Sequence, residues 1–75
     1  MNQIDTVLNH LTTRGPITPR EAIELYGILR LGARIYDLKQ MGFVIQRQLV
    51  EDTNRYGNTV RYARYSLIQE EGKEQ

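Results

Sequence analysis

The spacing of apolar residues changes period at Gly42, and that change constrains the fold more than any other feature of the chain. Before it, Ile28, Leu31, Ile35 and Leu38 fall on one stripe at about 100° per residue, with Arg30, Ala33, Arg34, Asp37 and Gln40 roughly opposite. This predicts an amphipathic helix over 28–42 with a basic, shallow outer face, stopped where Gly42 can adopt a left-handed conformation. Beyond it, Phe43, Val44 and Ile45 are aromatic or β-branched and open a strand. Phe43, Ile45 and Leu49 share one parity, interrupted by Arg47, and the run 59–67 alternates in the same way, with Ala63, Tyr65 and Leu67 on one side. An antiparallel register that pairs Phe43 with Leu67, Ile45 with Tyr65 and Val50 with Val60 suits both faces. The two runs form a hairpin whose polar tip, 52–58, is rich in residues that tolerate positive φ.

Upstream, Thr18-Pro19-Arg20-Glu21 forms a capping box: a threonine cap, proline at the first helical position and glutamate three residues after the cap. The helix it starts has Ala22, Ile23 and Leu25 or Tyr26 as its apolar set and ends at Gly27. A first helix is capped by Asn2, places Asp5 near its positive end, and buries Ile4, Val7, Leu8 and Leu11 before Gly15-Pro16 stops it. A short strand is expected at Pro16-Ile17. A short helix, a glycine turn and a longer helix make a helix-turn-helix. The hairpin that follows is then a wing, and the fold class is α+β: a winged helix-turn-helix of three helices plus a C-terminal β-hairpin. The domain is expected to span 1–68, with 69–75 a flexible acidic tail. Leu31, Ile35, Leu38, Phe43 and Tyr65 are the expected centre of the core.

Composition narrows the function. A chain of 75 residues buries only about 60% of its unfolded surface and leaves no room for a large catalytic cavity. The absence of cysteine removes disulfides, zinc-finger ligands and thiol chemistry, and suits a reducing, cytoplasmic compartment. No apolar run approaches the ~18 residues of a membrane span, so no membrane partner is expected. His10 stands alone, without cysteine or a second histidine near it, and reads as a partly exposed helix residue. No paired carboxylates, nucleophile–histidine arrangement, phosphate loop or metal cluster is evident, so neither an enzyme nor a cofactor is expected.

The net charge of +1 is small but unevenly spread. Residues 27–67 hold seven basic against three acidic side chains, a local +4, whereas 1–26 comes to −1 and 68–75 to −2. Arginine outnumbers lysine eight to two, a bias suited to bidentate contact with phosphates and guanine edges.

These residues carry a resemblance. The segments Ile17–Ala22 and Tyr26–Leu38, then Gly42-Phe43-Val44-Ile45 and Tyr62-Ala63-Arg64-Tyr65, resemble a family of small helix-turn-helix domains found in bacteriophages and prophages. The likeness covers about Ile4 to Leu67 and is most specific from Arg30 to Leu38. Gly32 stands where alanine is commoner in the family, a departure worth about 1 kcal/mol of helix propensity. The resemblance implies a winged-helix fold and DNA binding, and it implies no particular biological role.

The expected partner is therefore double-stranded DNA, read by the helix 28–42 in the major groove and the wing 52–58 on the backbone or minor groove. A homodimer or a partner protein on DNA would supply further contact surface. The candidate contact residues are Arg20, Arg30, Ala33, Arg34, Asp37, Lys39, Arg47, Asn54, Arg55, Tyr56, Arg61 and Arg64. Arg30 and Arg34 are expected one turn apart on the outer face. The competing reading pairs Arg34 with Asp37 and Arg64 with a cross-strand glutamine, as ordinary surface interactions. Tyr36, Tyr62 and Tyr65 are expected to pack rather than stack on bases. The alternative function is a protein-docking or dimerisation module, which an exposed surface of Leu29, Tyr36 and Val60 would favour. Within the DNA-binding class, a transcriptional regulator and an architectural or recombination accessory factor of a bacterial host cell are equally compatible with the residues.

Overall fold

A computed structural model describes residues 2–68; the tail expected over 69–75 lies outside the described residues. The elements run α1 (Gln3–Thr13), α2 (Pro19–Tyr26), α3 (Leu31–Gln40), β1 (Ile45–Thr53) and β2 (Thr59–Leu67). Three helices plus an antiparallel hairpin make the α+β winged helix-turn-helix expected from the pattern.

Local chemistry accounts for most boundaries. Asn2 Oδ1 accepts from the Asp5 amide at 2.8 Å, opening α1. At the start of α2 the capping box is complete: the Glu21 amide donates to Thr18 Oγ1 at 3.2 Å, and the Thr18 amide to Glu21 Oε1 at 3.1 Å. Gly27, at φ 67°, ends α2 in the left-handed region. The Pro16-Ile17 strand reduces to an isolated bridge, in which Ile17 and Tyr65 exchange both backbone hydrogen bonds at 2.9 Å. This bridge ties the α1–α2 connection to β2.

The third helix is shorter than the pattern predicts. Residues 28–30 are not helical, and α3 begins at Leu31, with Arg30 as its N-cap at φ −121° and ψ 62°. The reason lies in the preceding turn. The Ile28 amide bonds back to the Ala22 carbonyl at 3.0 Å, and the Ile28 side chain enters the core from the loop. Ile28 thus keeps its apolar role without a helical backbone. At the other end the helix stops at Gln40, with Gly42 at φ 103° and the Phe43 amide bonded to the Leu38 carbonyl at 3.1 Å.

That bond also corrects the hairpin register. Phe43 belongs to the terminal turn of α3, and the ladder pairs Ile45 with Leu67, Val50 with Tyr62 and Thr53 with Thr59. The shift from the expected register is two residues, which preserves parity. It also sets Glu51 opposite Arg61 and Gln48 opposite Arg64, pairs that the expected register lacks. Asp52 and Thr53 consequently lie in β1, and the tip contracts to 54–58.

The buried core is Val7, Leu11, Ile17, Ala22, Ile28, Leu31, Ile35, Leu38 and Ile45. Phe43 and Tyr65, expected at its centre, are partly buried and pack against its rim. Leu49, expected to face inward, is 58% exposed, because β1 outruns the helices that cover its first residue. The wing therefore projects from the helical body, and the molecule measures 47 × 28 × 20 Å.

His10 departs from the expectation of partial exposure. It is 3% exposed and joins α1 to the α2 region: Nδ1 lies 2.7 Å from the Tyr26 hydroxyl and Nε2 lies 3.2 Å from the Pro16 carbonyl. A carbonyl only accepts, so Nε2 carries a proton, and in the neutral ring the Tyr26 hydroxyl donates to Nδ1.

Candidate nucleic-acid interface

The candidate residues separate into those held by the protein itself and those left free. Arg34 is held. Its Nε lies 3.1 Å from Asp37 Oδ2 as an ion pair without an aligned hydrogen bond, and its Nη1 donates to Gln3 Oε1 on α1 at 3.2 Å. Arg34 and Asp37 both sit half-buried on the flank of α3 that meets α1. Arg30, at the N-cap, is exposed. The two arginines stand one turn apart, the Arg34 amide reaching the Arg30 carbonyl at 3.4 Å, but they do not share an outer face, because Arg34 is drawn toward Gln3 and half-buried.

Arg20 pairs with Glu24 one turn on, Nε to Oε2 at 3.0 Å. The hydrogen bond first, and the carboxylate charge second, hold the Arg20 proton more tightly than usual. On the wing, Arg61 Nε donates to Glu51 Oε2 at 2.9 Å, and Arg64 Nη2 donates to Gln48 Oε1 at 3.0 Å. Arg64 Nε is buried and has no hydrogen-bond partner among the described residues. At the tip, Asn54 Oδ1 accepts from the amides of Tyr56 and Asn58 at 2.9 and 3.1 Å, so this side chain shapes the loop. Arg55 and Tyr56 stand exposed beside it, Tyr56 at 78%.

Among the described residues, Arg14, Arg30, Lys39, Arg47 and Arg55 are exposed and make no side-chain hydrogen bond or ion pair. Arg14, at the C-cap of α1, is not among the residues expected from the sequence.

The outward stripe of α3 differs most from expectation. Gly32, Tyr36, Lys39 and Gln40 are exposed and Ala33 is half-buried. Tyr36, expected to pack, is 61% exposed at mid-helix, and Leu29 is 77% exposed just ahead of it. The signal was present in the sequence: Tyr36 lies on the side of the wheel opposite the Leu31-Ile35-Leu38 stripe. Tyr65 packs on the core rim and Tyr62 is half-buried, as expected. Val60 lines a cleft of about 690 Å³ between Thr18, Pro19 and Ile23 of the α2 region and Asp52 and Tyr62 of the wing.

A glycine-turned helix pair, an exposed third-helix face and a projecting hairpin define a winged helix-turn-helix, a class that suggests DNA binding and is typically non-enzymatic. The sequence matches the winged helix-turn-helix domain family over residues 2–70, and the chain belongs to that family. Comparison with curated proteins and with solved structures gives no match. No helix of the described residues is long and apolar enough to cross a membrane.

Proposed function

We propose that this domain binds double-stranded DNA, with α3 in the major groove and the loop 54–58 on the backbone or minor groove. The observation that carries the reading is the distribution of cations that have no partner among the described residues: Arg30 and Lys39 at the two ends of the α3 surface, and Arg55 at the tip of a wing that projects beyond the core. Cations with no internal partner are free to replace the counterions condensed on a duplex. Arg20, Arg34, Arg61 and Arg64 contribute less, since phosphate contact requires each to leave Glu24, Asp37, Glu51 or Gln48. Ala33 lines the helix face, Asp37 acts through its pairing with Arg34, and Arg47, Asn54 and Tyr56 extend the contact along the wing. The role consistent with the phage and prophage resemblance is a small regulator or architectural factor in a bacterial cytoplasm, completed on DNA by a second copy or a partner protein.

A docking module is the competing reading, favoured by the exposure of Leu29 and Tyr36. Titration of labelled random duplex with the wild type and an Arg30→Ala, Arg55→Ala double variant separates the two. The DNA reading expects salt-dependent binding that the double variant weakens, with about four to six phosphates neutralised by the wild type. Equal, salt-insensitive binding by both proteins rejects it in favour of docking.

A further inference from the structure

The stripe of α3 most open to a partner carries no charge until Lys39. Gly32 and Tyr36 are exposed, Ala33 is half-buried, and Leu29 stands exposed immediately before the helix. The arginine that pattern places here, Arg34, is occupied by Asp37 and Gln3. Arg30 at the N-cap and Lys39 near the C-terminus are the exposed cations at the two ends of this stretch. With such end cations available to phosphates, the uncharged stretch between them is the part of α3 left to meet base edges. Gly32, one turn before Tyr36, adds no side chain beside the ring, and its Cβ position lies 4.0 Å from the Tyr65 hydroxyl of the wing.

On those edges thymine presents the C5-methyl, an apolar group that leucine, alanine and a tyrosine ring face can cover, while the Tyr36 hydroxyl is the part of that side chain able to hydrogen-bond. We infer that Tyr36, together with Leu29, determines sequence preference by packing on thymine methyl groups. The inference rests on the DNA-binding reading and adds to it the chemistry that is read. Duplexes preferred by this domain then carry thymine where Leu29 and the middle of α3 meet the groove, and its specificity there is a matter of apolar contact rather than of arginine on guanine.

The test starts from duplexes enriched from a random library by the full chain. Each thymine of an enriched duplex is replaced singly by deoxyuridine, which removes the methyl and keeps every hydrogen-bonding group. The expected result is a loss of about fourfold in affinity at one or two positions, the worth of one buried methyl. Tyr36→Phe should keep that loss, whereas Tyr36→Ala should abolish it at one position and leave any second, Leu29-dependent position sensitive until Leu29→Ala is added. Retention of the full methyl effect by Tyr36→Ala overturns the assignment to Tyr36. Duplex binding with no deoxyuridine-sensitive position overturns the inference while leaving the DNA-binding reading intact. Failure of the wild type to bind any duplex overturns both.

Discussion

The His10 ring and the Tyr26 hydroxyl meet at 2.7 Å, edge to face at 90° with centroids 5.6 Å apart, and so connect the last turn of α1 to the last turn of α2. With the Pro16 carbonyl on Nε2, both ring nitrogens are satisfied inside an otherwise apolar core. The His10–Pro16 contact and the Ile17–Tyr65 bridge both act on the same connection, 14–18.

Removing the hydroxyl by Tyr26→Phe should leave His10 Nδ1 buried without a partner. The expected cost is about 1–3 kcal/mol, which in a domain of this size lowers Tm by roughly 4–8 °C per kcal/mol. Thermal unfolding followed by circular dichroism checks it, and a Tm within 2 °C (roughly) of wild type would show that the contact adds no stability.

Leu38 is fully buried on the core side of α3, so Leu38→Ala should cost about 2–5 kcal/mol. Leu49, 58% exposed on the wing, is the control: Leu49→Ala should stay within about 0.5 kcal/mol of wild type. Urea unfolding of both variants measures the difference, and equal midpoints would contradict the placement of the core.

The capping box should be separable from packing. Thr18→Ala removes the acceptor for the Glu21 amide and is expected to cost about 0.5–2 kcal/mol. Hydrogen exchange should locate the effect at the first turn of α2, and an unchanged exchange rate at Glu21 would count against the cap.

The cations should differ in their effect on DNA binding according to whether they are already paired. Arg55→Ala is expected to flatten the slope of log affinity against log salt by about one unit, and Arg61→Ala, whose side chain is engaged by Glu51, by less. Anisotropy titrations of a labelled duplex at several salt concentrations measure both slopes. A larger effect at Arg61 than at Arg55 would place the DNA on the strands rather than at the wing tip.

Several features were determined by the sequence alone because they depend on neighbours within one turn or one pleat. The Thr18–Glu21 box, the stops at Gly27 and Gly42, and the parity of Ile45, Tyr65 and Leu67 are of this kind: a cap, a left-handed backbone or an alternation is decided by residues a few positions apart. Tertiary structure decided the rest. A register shifted by two residues preserves every face, so alternation could not choose between Ile45 opposite Tyr65 and Ile45 opposite Leu67; the Phe43–Leu38 bond and the Glu51–Arg61 pairing did. Ile28 kept the helical spacing but lost the helix, since its amide is taken by Ala22. Arg34 turned aside because Gln3, 31 residues earlier, lies within reach, and His10 is buried because Tyr26 and Pro16 satisfy it there. A periodic pattern encodes which way a side chain points from its own backbone; which group waits at the end of it is settled only when the elements pack.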